Sequence, residues 1–384
     1  MKFQRKLPPV IFLKALGMTA LALFLSMVMM QPFTVSTSTL LSPHERKDFK
    51  ITDFYNIVAD SRDVRQLDDD IVIVNIDNSD REEIAMMLDR LMSFQPKAVG
   101  LDVTFDERRD SIVDEYLEAV ADNFPNLIEA ITVTPDEKES GKFDISEHSF
   151  YIDSTKFDRV GVVNLPKKFD GGVVRQFIVG TQLLDGDTLY SLPVKIAMLV
   201  APDKVDLLRA RSATLETINY PSRIYRSVDA ADIDSFAGLI EDRIVLIGAM
   251  NDLGDKHLTP LGSPMPGVEI HARALSTILS GDYIKVVPQW LNIFAAALVC
   301  YLFLLLNLAL KVTFKGLILR LLQVMLLYLI LVFSYSVFIN HNVLVDFSFT
   351  LLMVTFGLFA FDIWMGGQAL YNFLRDKIRK HNSK

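Results

Sequence analysis

Residues 71–103 read IVIVNIDNSDREEIAMMLDRLMSFQPKAVGLDV. Ile71-Val72-Ile73-Val74-Asn75-Ile76-Asp77 is a nearly continuous β-branched run, which predicts a strand buried on both faces. Ser79-Asp80-Arg81-Glu82 has the pattern of a capping box, with Ser79 placed to accept from first-turn amides and Glu82 to reach back. Ile84, Met87, Leu88 and Leu91 fall on one stripe of the helix opened there. Pro96 interrupts, and Ala98-Val99-Gly100-Leu101-Asp102-Val103 predicts a second strand. A strand–helix–strand unit of about 30 residues implies parallel pairing with a right-handed crossover. The expected fold class is therefore α/β with a largely parallel sheet.

The pattern continues outward. Ile112–Val120 predicts a helix and Leu127–Val133 a strand, whereas the polar stretch Pro135–Lys156 reads as an external loop. Val160–Leu165 and Val173–Val179 flank Gly171-Gly172, a hairpin signal that would add an antiparallel extension. Leu192–Val200 predicts a helix and Arg243–Gly248 a third apolar strand. Val268–Leu279 predicts a closing helix that Gly281 stops.

Beyond this domain the chain is apolar. Runs at 10–30, 291–310, 317–339 and 343–365 each approach the length of about 20 residues that crosses a bilayer. Residues 31–286 carry 27 Lys and Arg against 44 Asp and Glu, while the remainder carries 12 against 3. The cations gather in three places: Lys2, Arg5, Lys6 and Lys14; Lys311, Lys315 and Arg320; and Arg375, Lys377, Arg379, Lys380 and Lys384. Short basic segments stay on the cytoplasmic side. The expected topology places residues 1–9 and the basic tail 366–384 in the cytoplasm, and residues 39–285 outside a bacterial inner membrane. The first run reads as an anchor, because it exceeds a signal-peptide core and no small-x-small site follows; a cleaved signal peptide is the alternative.

Cys300, inside the second run, is the one cysteine, so the external domain has no disulfide. An acidic domain argues against nucleic acid as partner. No Cys pair, H-x-x-x-H, G-x-S-x-G, G-x-x-x-x-G-K-[ST] or G-x-G-x-x-G is present, so neither metal nor cofactor is expected.

Ligands of open parallel sheets bind beyond the carboxyl ends of the strands. Asp77 and Asp102 close two strands, and the third runs into Gly248–Pro260, which carries Asp252, Asp255, His257 and Thr259. Arg175 is a candidate counter-charge. Each has a plainer reading: strand-end Asp residues cap turns, Asp252 and Asp255 form turns, and Arg175 is an ordinary ion-pair partner. His271 shares its helical spacing with Val268, Leu275 and Ile278, which places it toward the core.

Residues 242–279, DRIVLIGAMNDLGDKHLTPLGSPMPGVEIHARALSTIL, resemble the closing motif of the type-two CHASE domain, an extracytoplasmic sensory module of bacteria. DDDIVIVNIDNSD (68–80) and KAVGLDVTFDE (97–107) are similar to its opening strand–helix–strand motif, and GGVVRQFIVG (171–180) to its middle. The resemblance implies candidate ligand-binding roles for Asp77, Asp102, Arg175, Asp255, Thr259 and His271. It implies backbone-shaping roles for Gly248, Pro260 and Gly267. In the family the external domain is followed by three transmembrane helices and a cyclase or kinase; here the chain stops after the helices. The expectation is a non-catalytic sensor subunit that binds a small ligand or envelope protein and signals to a separately encoded cytoplasmic partner, with a homodimer as one option. The alternatives are a structural subunit of an envelope complex, and an external hydrolase that uses Asp77 and Asp102 with a divalent ion.

Overall fold

The computed structural model describes residues 2–3, 8–35, 50, 52–61, 66–77, 79–167, 172–221, 223–311 and 315–382. The expected domain start at Thr39, the cations Arg5, Lys6 and Lys384, and Gly171 lie outside these residues. The chain divides into two compact units, Met1–Arg46 with Lys285–Lys384, and Lys47–Ile284.

The chain order opens with β1 (Lys2–Phe3), α1 (Pro9–Val35), α2 (Asp53–Asp60), β2 (Gln66–Asn75), α3 (Arg81–Ser93), β3 (Ala98–Leu101) and α4 (Ser111–Asn123). There follow β4 (Leu127–Pro135), β5 (Lys142–Glu147), β6 (Val160–Val162), β7 (Gln176–Ile178), β8 (Gly180–Leu183) and β9 (Thr188–Tyr190). Next come α5 (Leu192–Val200), α6 (Pro202–Ala210), β10 (Leu215–Thr217), β11 (Arg223–Asp229), α7 (Ala237–Ile240) and β12 (Ile244–Gly248). Finally come β13 (Lys256–Leu258), β14 (Pro264–Pro266), α8 (Gly267–Ser280), β15 (Lys285–Val286), α9 (Gln289–Ala309), β16 (Leu310–Lys311), α10 (Lys315–His341), β17 (Val343–Leu344) and α11 (Ser348–Asn382).

Unit Lys47–Ile284 is a mixed α/β domain with a mostly parallel central sheet. Its strands β11, β2, β12, β3, β4 and β6 lie side by side, all parallel. β5, β8 and β9 extend the sheet beyond β4. Alternate residues serve opposite faces. Val74, Val245, Ile247 and Leu101 join the core with Leu88 of α3 and Leu117 of α4. Ile71, Ile73, Ile244 and Leu246 join a second core with Ile196 of α5 and Leu275 of α8. Burial on both faces is why these strands read as unbroken apolar runs rather than alternating ones.

Four local expectations change. β2 and β3 are parallel but do not touch, because β12 inserts between them. The capping box is one residue later: Asp80 accepts from Glu83 N–H at 2.9 Å, and Glu83 accepts from Asp80 N–H at 2.9 Å. The stretch read as a loop contains β5, antiparallel to β4 through Val133↔Ile145 and Pro135↔Phe143. Phe143 and Ile145 pack on the core, giving too short an alternation to stand out among charges. Among the described residues no hairpin joins the segments around Gly172: β6 pairs with β4, and β7 pairs antiparallel with β10.

In the other unit, Pro9–Met29, Gln289–Ala309, Gly316–His341 and Ser348–Ile378 are each long and apolar enough to cross a membrane, which fits a multi-pass membrane protein. Ala15, Met18 and Ala22 of α1, Ala296 and Cys300 of α9, and Met353 and Ala360 of α11 form one core, with small residues permitting close approach. α10 joins α11 through Gln323 Nε2–H, which donates to Val354 O at 3.2 Å. α11 starts at Ser348 rather than at Val343, because Val343-Leu344 is extended and pairs with β15. Asp346 then accepts from Ser348 N–H at 3.0 Å. α11 runs unbroken to Asn382, so the basic tail from residue 366 continues the last apolar span as one helix. Asp362 lies 3.5 Å from Arg320 of α10. β1 pairs with β16 through Lys2↔Lys311, which sets two of the three basic segments side by side.

The shifted capping box separates two neighbouring polar residues. Asp80→Ala should cost about 1 kcal/mol of stability, and Ser79→Ala close to nothing, in urea unfolding of the full-length protein.

Candidate functional site

The helix after β2 (α3) covers one face of the sheet and the helix after β12 (α8) covers the other. A crevice therefore opens at the carboxyl ends of these strands, where chain direction splits. The loop leaving β12 begins there, and carboxylates hold it on both sides.

On one side stands Asp77, in the turn after β2. Its carboxylate accepts from Met250 N–H at 2.9 Å and from Asn251 N–H at 2.9 Å, and from the Asn251 side-chain amide. Asn75 Oδ1 also accepts from Met250 N–H, at 3.2 Å, while Asn75 Nδ2–H donates to Asp229 Oδ1 at 2.9 Å. Burial acts to raise the Asp77 pKa, but the hydrogen bonds from Asn251, Asn75 and Met250 outweigh it and hold the group below the usual carboxylate range.

On the other side Asp255 reaches the first turn of α8. Its Oδ2 accepts from Gly267 N–H at 3.3 Å, and its Oδ1 lies 3.2 Å from His257 Nε2. Any Cβ at position 267 would sit 2.8 Å from both carboxylate oxygens, so only glycine admits this approach. A Cβ at Gly248 would stand 2.7 Å from Val268 Cβ, so the end of β12 and the start of α8 also require glycine between them.

Asp102 follows β3, its N–H donating to Ile247 O at 2.8 Å. Its carboxyl lies 3.9 Å from His271 Nε2, beyond hydrogen-bond reach, with side chains 13% and 4% exposed. Burial, and secondarily the charge of Asp255, push the Asp102 pKa up to about 8. Burial pushes His271 down to about 4 against the opposing influence of Asp255. Both groups are therefore neutral near pH 7.

Beside Asp77 lies a groove of about 550 Å³ between α3 and the 3₁₀ turn Ala230–Phe236. Asp77, Glu83, Met86, Arg90, Asp229 and Asp232 are among its walls.

The candidate residues thus fall into separate places. Asp102, Asp255, His271, Gly248 and Gly267 gather around the first turn of α8, and Asp77 holds the same loop from the groove side. Arg175 is elsewhere. Its Nε–H and Nη2–H donate to Asp53 Oδ1 and Oδ2 of α2 at 2.9 and 2.6 Å, the ion-pair reading of that residue. Thr259 is buried within a turn, with Oγ1–H donating to Ser263 O at 3.0 Å; Pro260, next to it, is buried too. Asp252 accepts from Gly254 N–H at 2.8 Å and forms a turn, as its plainer reading held. Sequence reasoning missed Asp53, Asp229 and Asp232. Asp229 ends a strand as Asp77 nearly does, but β11 exposes most of its side chains and gives no apolar run to betray it. Among the described residues, no three His, Cys, Asp or Glu are arranged to hold a metal ion.

A family model described as CHASE2 domain matches residues 22–306. No curated protein and no solved structure matches the chain.

Two outcomes test this geometry. The raised Asp102 pKa means folding takes up a proton between the unfolded value near 4 and the folded value near 8, so its stability contribution declines as pH rises through that window. Asp102→Asn should match the wild type near pH 4 and gain on it by up to about 1.4 kcal/mol per pH unit toward pH 8, read as urea midpoints. Arg175→Ala leaves the Asp53 carboxylate buried without its guanidinium and should cost about 3 kcal/mol at pH 7 in the same assay.

Proposed function

The chain belongs to the CHASE2 domain family, a family of sensory domains, and from that premise we propose that it is the receptor subunit of a signalling system in a bacterial inner membrane. Unit Lys47–Ile284 lies outside, the basic segments lie in the cytoplasm, and a small ligand or envelope protein binds in the groove beside Asp77. The positive-inside distribution of cations supports this orientation.

One observation carries the reading. The loop after β12 is tied at one end to Asp77, on the wall of the groove, and at the other to the first turn of α8. An occupant that donates hydrogen bonds to Asp77 competes with Met250 and Asn251 for the same carboxylate. Only such differential affinity for two loop arrangements can shift their equilibrium. α8 ends at Ser280, and α9, the next apolar span, starts at Gln289. The consequence is therefore delivered along the chain to the membrane helices after few intervening residues.

The subunit acts without chemistry of its own. Asp77 is engaged with backbone amides and Asp102 holds its proton, so neither is poised as a base for an external hydrolase. The output enzyme is a separate cytoplasmic protein, and two copies of the receptor act together.

Tagged full-length protein, taken from its own membrane in mild detergent, should bring down a stoichiometric cytoplasmic kinase or cyclase identifiable by mass spectrometry. Recovery of envelope proteins alone would instead make this a structural subunit of an envelope complex. Phosphatase fused within residues 135–142 should be active and phosphatase fused after residue 382 inactive; the reverse pattern would invert the topology.

A further inference from the structure

α11 has 35 residues and, at about 1.5 Å each, is far longer than the hydrocarbon core of roughly 30 Å. About 20 residues suffice to cross, which takes the helix from Ser348 to Gly367. Gly366 and Gly367 therefore fall at the bilayer exit, two residues past Trp364. A Cβ at either glycine would meet nothing within 4 Å, so packing does not require them. A glycine pair is the weakest point of a helix and a recurrent place for it to bend.

The segment beyond is amphipathic. Leu370, Leu374 and Ile378 recur at helical spacing and are 59%, 47% and 60% exposed, with Tyr371 and Phe373 beside them at 65% each. By helical spacing Arg375 borders this stripe beyond Tyr371, Lys377 falls between Phe373 and Leu370, and Arg379 and Lys380 follow in the sequence. The one acid among residues 368–382 is Asp376. An apolar stripe with one cation at its edge and another within it suits the boundary between headgroups and acyl chains, the long cationic stems carrying their charges up to anionic headgroups while the apolar side chains enter below them.

We propose that residues 368–382 form an arm that bends at Gly366-Gly367 and binds the anionic lipid surface of the membrane from which it emerges. Charge decides the occupant. A second copy packed on this stripe would bring Arg375 and Lys377 toward like charges, whereas anionic lipid neutralises them. Reach agrees, because the arm begins where the bilayer ends. The arm bears on the sensor reading by making the exit of the last membrane helix responsive to its lipid, and it does not depend on what binds the external domain.

The test uses the full chain with Cys300→Ala and Leu374→Cys, labelled with an environment-sensitive fluorophore. Nanodiscs of phosphatidylcholine are compared with nanodiscs containing roughly one third phosphatidylglycerol. The label should shift to the blue and become shielded from an aqueous quencher only with phosphatidylglycerol. The shift should vanish in molar salt, and in the variant Arg375→Gln, Lys377→Gln, Arg379→Gln, Lys380→Gln. The double variant Gly366→Ala, Gly367→Ala keeps every charge and should weaken the shift; an undiminished shift overturns the bend. Equal emission in the two bilayers overturns lipid binding. A shift that appears only with two copies per disc, in either lipid, assigns the stripe to a second copy instead. Nanodiscs present identical leaflets, so a negative result here leaves the proposed orientation standing, and that orientation is read separately by the phosphatase fusions.

Discussion

The structure depends on β12, a short strand that arrives last and fills the gap between β2 and β3. Until it enters, those two strands cannot belong to one continuous sheet. All five residues of β12 are buried, and Ile244, Val245, Leu246 and Ile247 alternate between the two cores. Burial on both faces leaves one register for the strand, because a one-residue slip would exchange the side chains given to each layer of helices. That register fixes where Gly248 ends, and hence where the following loop leaves the sheet. Asp77 and Asp102 lie after the strands on either side of that exit. Adjacent strands are about 4.8 Å apart, so the loop emerges between carboxylates roughly 10 Å apart. Their contrasting states follow from what each finds there: Asp77 meets two backbone amides and remains charged, while Asp102 is buried near the charge of Asp255 and retains its proton.

Strands buried on both faces were legible because their chemistry is local: Ile71–Val74 and Ile244–Ile247 cannot be anything polar-faced. The stop at Gly281 was equally local, and the residue adopts the left-handed conformation with φ 71°. Features that depend on distant partners were not legible. Gly171-Gly172 resembles a turn between two strands, but β6 finds a longer apolar neighbour in β4 and the local signal loses. Arg175 could be recognised as a cation in need of an acid; that the acid would be Asp53, 122 positions away on α2, no spacing rule could say. For the site, the strand-end argument located the loop and the carboxylates at its edges. It did not identify the groove, because one wall is the 3₁₀ turn after β11, whose strand lacks an apolar signature.

The pair Asp102 and His271 shows why proximity is not interaction. At 3.9 Å an acid and an imidazole would form an ion pair in water-rich surroundings. Here both lie where ionisation is opposed by burial, and Asp255 already supplies a negative charge close to Asp102. Charging the pair would require desolvating two ions to gain one contact that is too long for a hydrogen bond. The neutral state is the less costly one. Asp255 stands at the mouth of α8, where its side chain accepts from the backbone N–H of Gly267 at the end of the helix whose dipole suits an acceptor.

The clamp at Asp77 is of a size suited to reversal. A hydrogen bond to a charged group contributes about 1.5 to 3 kcal/mol, and less where solvent competes, as it does at this partly exposed carboxylate. The bonds from Met250 and Asn251 together therefore represent a few kcal/mol, against about 8 kcal/mol available from a micromolar ligand. An occupant of the groove could dissolve the clamp and still bind. A clamp built from the buried Asp53–Arg175 pair would be stiffer, since opening it exposes a desolvated charge before any contact replaces it. The domain thus places its rigid ion pair away from the crevice and its exchangeable hydrogen bonds within it. That division is what the proposed receptor role would require of this loop.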